Sequence, residues 1–189
     1  MTLFLVEKGT PGLQIGHRFR TLAHEANPIW EVLYDDCRVP ADNRLGQEGE
    51  GFSYMQVGFA KTRALYAARY AEERVQFGQP IARFQGMRFK IADMATRVEA
   101  ARHLVYRAAS LVDERAAEAP AVASMAKLFA SDTTMYVATE AVQILGGHGY
   151  TRDHPVERYF REAKLCQIGE GTNEVLRLLI SRHVRDGSR

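Results

Sequence analysis

Three short stretches of the sequence put residues capable of chemistry in useful company. The first is Cys166 to Glu174, CQIGEGTNE, where Glu170 stands between two glycines just before a segment that reads as a helix. Thr172 or Asn173 can cap that helix, and Glu174 sits well in its first turn, so these residues need no ligand to explain them. Glu170 is not explained that way. A carboxylate held over a ligand in a dry cleft has its pKa raised by desolvation, which makes a glutamate a useful general base.

The second stretch is Glu73 to Ile81, ERVQFGQPI, where one helix ends and another begins across a Gly and a Pro. Arg74, with a side-chain amide two residues on, suits an anion such as a phosphate. Taken alone, it reads more readily as a surface cation near a helix C-terminus. The third is Gln143 to Tyr150, QILGGHGY, with three glycines in four residues where one would end a helix. Such a bare backbone lets a flat or phosphorylated group lie against it. The pattern is not GxGxxG after a strand, so it is not a Rossmann fingerprint. His148 beside these glycines reads as a loop residue.

These stretches must be positioned by the elements between them. From Gly86 to Asp113, apolar residues recur at steps of three and four, which predicts a long helix. Pro120 opens a second that runs to Leu145 before Gly146-Gly147. A shorter helix follows Pro155, a last one starts near Thr172 or Asn173, and an earlier one covers about residues 51–74. Long helices joined by short loops predict an antiparallel bundle of the four-helix type. Residues 1–48 differ: short apolar runs separated by Gly, Pro and Asn predict about three strands, too few to close a sheet. The expected division is therefore 1–48 and 49–189.

Composition narrows the classes. The 189 residues carry 25 basic and 23 acidic side chains, a net charge of +2, with no basic block. That argues against nucleic acid as a partner. No apolar run approaches the roughly 20 residues of a membrane span, and the N-terminal stretch lacks the basic region of a signal peptide. Cys37 and Cys166 stand far apart without a CxxC or a nearby His pair. A reduced, cytoplasmic protein without disulfides or a bound metal is the expectation.

Taken together, ERVQFGQPI, FQGMRFKIADM, ASMAKLFASD, AVQILGGHGY, HPVERYFREAK and IGEGTNEVLRLLISR follow in one order at consistent spacings. This array closely resembles the C-terminal half of the flavin-dependent acyl-CoA dehydrogenases. TLFLVEKGTPGL and VLYDDCRVPADNRLGQEGEGF resemble the end of that family's middle β-domain. The resemblance implies a helical bundle preceded by a short remnant of a β-barrel, with an N-terminal helical domain and the first part of the β-domain lying outside this sequence. It implies an oxidoreductase that removes two hydrogens from an acyl-CoA thioester, with FAD as cofactor and an electron-accepting flavoprotein or similar partner.

Residue by residue, the resemblance makes Glu170 the base that takes the α-proton and sets Gly171 against the substrate. Arg74, Gln76, Phe77, Gln85 and the run Gln143, Ile144, Leu145, Gly146, Gly147 match positions that hold FAD, largely from a neighbouring subunit. Thr172, Asn173 and Glu174 match a further FAD-contacting segment, and Arg63 matches an arginine of the substrate site. A homo-oligomer, dimer or tetramer, is expected. The bundle helix agrees, because Met125, Leu128, Phe129, Met135, Tyr136, Val142 and Ile144 do not fit one stripe.

Departures from the pattern qualify this. Gly169 stands where straight-chain members carry an aromatic, which points to a branched, cyclic or bulky substrate. Ala60 replaces an acid three residues before Arg63. The helix between Arg63 and Glu73 is shorter by about fourteen residues, some four turns, which shifts Arg63 relative to Arg74 by about 20 Å. Weak or absent activity of this chain alone is therefore expected. A non-catalytic assembly or ligand-binding subunit, or an acyl-CoA oxidase, are the alternative readings.

Overall fold

A computed structural model describes residues 3–23, 28–45 and 60–186. The chain divides into two units, Met1–Val57 and Gly58–Arg189. Both this division and the expected one after residue 48 fall outside the described residues.

The first unit is strand and loop. Strand β1 (Leu3–Phe4) pairs antiparallel with β4 (Arg44–Leu45), and β2 (Leu13–Arg18) with β3 (Trp30–Tyr34). The pair closes just before β2 at Gly12, whose carbonyl accepts from Asp35 N–H at 2.8 Å; its φ is +83°, and a Cβ there would lie 2.2 Å from the Asp35 carbonyl oxygen. Trp30, Val32, Leu33 and Tyr34 are all exposed. Among the described residues of this unit, no second layer covers these side chains, and a two-stranded ribbon alone cannot bury them.

The second unit is the helical one. It contains α1 (Ala60–Glu73), α2 (Gln85–Asp113), α3 (Ala119–Leu145), α4 (Val156–Ile168) and α5 (Asn173–Asp186). The expected bundle is present, with both ends of α2 and α3 and the starts of α4 and α5 within a residue or two of those expected. The first nine residues of the helix expected from 51 lie outside the described residues. Helix α2 stops in a Schellman turn: Arg115 takes a left-handed φ of +55°, Ala116 N–H donates to Leu111, and Arg115 N–H donates to Val112.

Helix α3 is the axis of this unit and packs on α1, α2, α4 and α5. Its alanines, serines and threonines let four neighbours approach from different sides, which is why it is apolar on more than one face. Ala126, Val137, Ala138 and Ala141 are at most 1% exposed. The core joins Ala67 and Ala71 of α1, Met94 of α2, Val137, Ile144 and Leu145 of α3, and Val156 of α4. A smaller cluster gathers Ala108, Val122, Ala123 and Ala126. Burying a side chain such as Met94 or Val137 contributes about 1.5–3 kcal/mol.

Helices α2 and α3 run antiparallel. An ion pair joins Lys90 to Glu140, the Arg97 guanidinium lies 4.3 Å from the Tyr136 ring centre, and Arg107 meets Glu118 at 3.2 Å. The start of α2 therefore lies beside the end of α3.

Candidate functional site

At that end of the bundle, α1 gives way to a tight hairpin, β5 (Val75–Gln76) and β6 (Gln79–Pro80). Its two loop residues, Phe77 and Gly78, both have positive φ, +51° and +79°. That is the geometry of a type I′ turn, which favours Asn-Gly, so a phenylalanine there is strained. Phe77 is 93% exposed and meets only the edge of Phe84, 6.1 Å between ring centres. Gln76 is exposed and its side-chain amide donates to the Val75 carbonyl. Arg74 is exposed, with its backbone tied to Tyr70 and Ile81; among the described residues its guanidinium joins no ion pair.

Gln85 opens α2, also exposed. No side chain caps this N-terminus and no acid lies in its first turn. An uncapped N-terminus near Arg74 and Arg83 favours an anion through backbone N–H groups, the helix dipole and guanidinium charge together.

The glycine-rich end of α3 comes to the same place, because Tyr70 of α1 stacks obliquely on His148 with ring centres 6.3 Å apart. Its three glycines do different things. Gly146 adopts φ +59° and ψ −132°, a region other residues avoid. Gly149 is buried, and a Cβ there would lie 2.5 Å from the Val142 carbonyl oxygen. Gly147 has ordinary φ, is exposed, and a Cβ would meet nothing within 4 Å. Only Gly147 is left without a reason inside the chain. Gln143 is exposed, while the side chains of Ile144 and Leu145 belong to the core, so those two residues offer a ligand only their backbone.

Glu170 lies elsewhere. Helix α4 ends with Gly169 N–H donating to Leu165 at 2.7 Å, and the chain then turns through two left-handed residues, Glu170 (φ +57°) and Gly171 (φ +94°). Glu170 and Gly171 are exposed. A Cβ at Gly169 would sit 3.3 Å from the Leu165 carbonyl oxygen, a tight fit. Thr172 Oγ1 accepts from Val175 N–H at 3.4 Å and starts α5. Glu174 is exposed in the first turn; a hydrogen bond from its own backbone N–H, then one from Thr172, hold its carboxyl below the usual range. Asn173 is 3% exposed and its side chain is committed within the chain.

The expected site residues thus form two groups. Arg74, Gln76, Phe77, Gln85 and Gln143–Gly147 gather at the C-terminal end of α3, whereas Glu170–Glu174 lie beside residues 127–132, from its first half to its middle, through a 2.7 Å hydrogen bond from Lys127 Nζ to the Gly171 carbonyl and the bonds of Asn173 to Ser131 and Asp132. Along the helix axis Lys127 and Leu145 are about 27 Å apart, and Asp132 and Gln143 about 17 Å. Arg63 joins neither group. It is 3% exposed, pairs with Glu162 at 3.5 Å and lies 5.4 Å from the Tyr159 ring centre.

Sequence reasoning missed Lys127, Ser131 and Asp132. The available signal was a lysine and an aspartate in an otherwise almost uncharged 27-residue helix. It also missed the cluster of Tyr66, Tyr70, His148 and His154, in which the Tyr66 hydroxyl lies 2.9 Å from His154 Nδ1. Among the described residues, no group of three metal-binding side chains is assembled and no helix is long and apolar enough to cross a membrane.

Comparison with known proteins bears on the whole chain. Residues 41–185 match the family described as "Acyl-CoA dehydrogenase, C-terminal domain". An acyl-CoA dehydrogenase of Bacillus subtilis is 46% identical over 202 residues, covering 100% of this chain and 53% of the relative. That alignment is longer than the 189 residues present here, so the relative carries residues that this chain lacks. Cyclohex-1-ene-1-carbonyl-CoA dehydrogenase of Syntrophus aciditrophicus is 44% identical, covering 96% of this chain and 47% of the relative. The structure of butyryl-CoA dehydrogenase from Megasphaera elsdenii superposes with a TM-score of 0.81 at 40% identity, over 97% of this chain and 51% of that one. The chain spans about half the length of the curated relatives it matches.

Proposed function

Because the chain belongs to the acyl-CoA dehydrogenase family, we propose that it forms the C-terminal half of a FAD-dependent α,β-dehydrogenase of acyl-CoA thioesters, with Glu170 as the base. The observation that carries this reading is the turn at 169–171. An exposed carboxylate stands on a left-handed backbone between two glycines, just after the end of α4. Gly171 leaves the approach to that carboxylate free of a side chain, so an acyl thioester can lie against the backbone.

The end of the bundle carrying Arg74 fits a dinucleotide. An open guanidinium, an uncapped helix start and the bare backbone of Gly147 offer charge and N–H groups to a pyrophosphate, and the exposed Phe77 offers an aromatic face. A bound FAD would supply the hydride acceptor for the β-hydrogen. The chain's own part is to position the thioester and take the α-proton on the Glu170 carboxylate.

The two groups of residues stand too far apart along α3 to close on one small ligand from one chain. A site composed from two copies reconciles them, one chain offering Glu170–Glu174 and its partner the Arg74–Gly147 end. Exposed apolar residues on α4 and α5, among them Phe160, Ile168, Leu178 and Leu179, suit such an assembly. Gly169 and the ring-containing substrate named for the Syntrophus relative favour a branched or cyclic acyl group. Electrons then pass to a flavoprotein or similar acceptor.

A second reading, a non-catalytic assembly subunit, is favoured by Arg63. A substrate role would require it to leave Glu162 and the interior. Exchange of the acyl-CoA α-proton with deuterated solvent, followed by NMR with FAD supplied, separates the two. Catalysed exchange that falls about 10²–10⁴-fold in Glu170→Gln supports the base. Equal rates in the two proteins would remove Glu170 from the reaction.

A further inference from the structure

Helix α3 sends a lysine into the backbone of the Glu170 turn. Lys127 Nζ donates to the Gly171 carbonyl at 2.7 Å and to Asn173 Oδ1 at 3.1 Å. Asn173 is fully engaged in return: its Nδ2 donates to Ser131 Oγ at 2.9 Å and to Asp132 Oδ1 at 2.8 Å. Ser131 has a single proton, which can go to Asn173 Oδ1 or to the Leu128 carbonyl, each at 3.0 Å. Asp132 also accepts from Gln167 at 2.7 Å and from Arg177 at 3.3 Å. One stretch of α3, residues 127–132, therefore ties the chain down before the turn, within it and after it.

The turn needs such a tie. Two successive left-handed residues are unusual, and for a residue with a Cβ the conformation costs about 1–2 kcal/mol. Strain of this kind persists only where the surroundings over-determine it. Lys127 is also electrostatically placed. Partial burial lowers its pKa from the ordinary lysine value, while Cys166, Glu170, Asp132 and Glu174 pull it back up.

We infer that Lys127, braced by Asn173, is a positioning residue that locks the Gly169–Gly171 turn and so aims the Glu170 carboxylate. This rests on the reading of Glu170 as the base. Lys127 touches backbone and Asn173, so its effect on the reaction passes through Glu170.

The test compares Lys127→Met, which keeps the length and loses the donor, Lys127→Arg, which keeps a donor, and Glu170→Gln, all in the full chain with FAD supplied. Hydrogen–deuterium exchange reads the turn without reference to catalysis. Lys127→Met should speed exchange of amides 170–173 by about tenfold or more while α2 and the core of α3 keep their protection. The α-proton exchange rate at saturating acyl-CoA should fall up to about 100-fold with less than about threefold change in half-saturation, and Lys127→Arg should recover most of both. Unchanged amide protection in Lys127→Met overturns the tie. A rate loss that follows a lower melting temperature and shifts half-saturation equally overturns the positioning role. Glu170→Gln at wild-type rate instead overturns the base reading, and with it the catalytic purpose of the tie.

Discussion

Gly147 and Gly149 lie two residues apart in one motif, yet the structure gives them opposite sensitivities. Replacing Gly149 with alanine puts a methyl 2.5 Å from the Val142 carbonyl oxygen and 3.0 Å from Leu145 Cβ. Carbon–oxygen contacts are normally about 3.3–3.6 Å, so roughly 1 Å of room must be made against backbone that closes α3. Forcing volume into a packed site costs about 1–3 kcal/mol. For a chain of this length that lowers the melting temperature by about 3–10 °C. Gly147→Ala meets no atom and has ordinary φ, so its stability should hold or rise by up to about 1 kcal/mol. Its cost should appear in the cofactor instead, as FAD affinity reduced about tenfold, or about 1.4 kcal/mol. Thermal melts by circular dichroism and FAD titration by fluorescence read the two effects separately. A Gly149→Ala protein melting with the wild type, or a Gly147→Ala protein equally destabilised, would refute this division of labour.

Two further outcomes follow from local geometry. Phe77→Asn places the residue that type I′ turns favour at φ +51°, and should raise stability by about 0.5–1 kcal/mol while weakening FAD binding; a less stable variant that binds FAD normally would contradict both halves. Glu157 is held below its usual carboxyl pKa of 4.5, first by the hydrogen bond from Arg161 at 2.8 Å and then by the Arg161 charge, with Arg152 and Arg158 adding less. A depressed folded-state pKa means the contribution is present above the unfolded value and lost as pH falls through the folded one. Glu157→Gln should therefore cost about 0.5 kcal/mol at pH 7 and nothing below the folded pKa, measured by urea titration across pH 7 to 3.

Much of the architecture was legible because it is written locally. Pro120 at the start of α3, the glycines after it and the three-and-four spacing in α2 act within a turn or two of their own position. The first unit was legible for the same reason, through turn residues between short apolar runs. The identities of Glu170, Arg74 and the Gly146-Gly147 pair stood out because their order and spacing repeat a family's pattern. Distance was not legible. Arg63 and Glu162 are 99 residues apart in sequence, and no local rule brings them together.

By itself, then, the sequence determined which segments are helical, where the long ones stop and which family they belong to, and it named the side chains proposed for the chemistry. Tertiary structure decided what each of those side chains is free to do. It sealed Arg63 against α4, spent Asn173 inside the chain, separated three apparently equivalent glycines by φ and by what a Cβ would strike, and divided the candidate residues between the C-terminal end of α3 and the stretch 127–132. The physical reason is that propensity and capping act between neighbours in sequence, whereas burial, close approach and charge pairing depend on segments that only packing brings together. Lys127 reaches Gly171 across 44 residues for that reason alone.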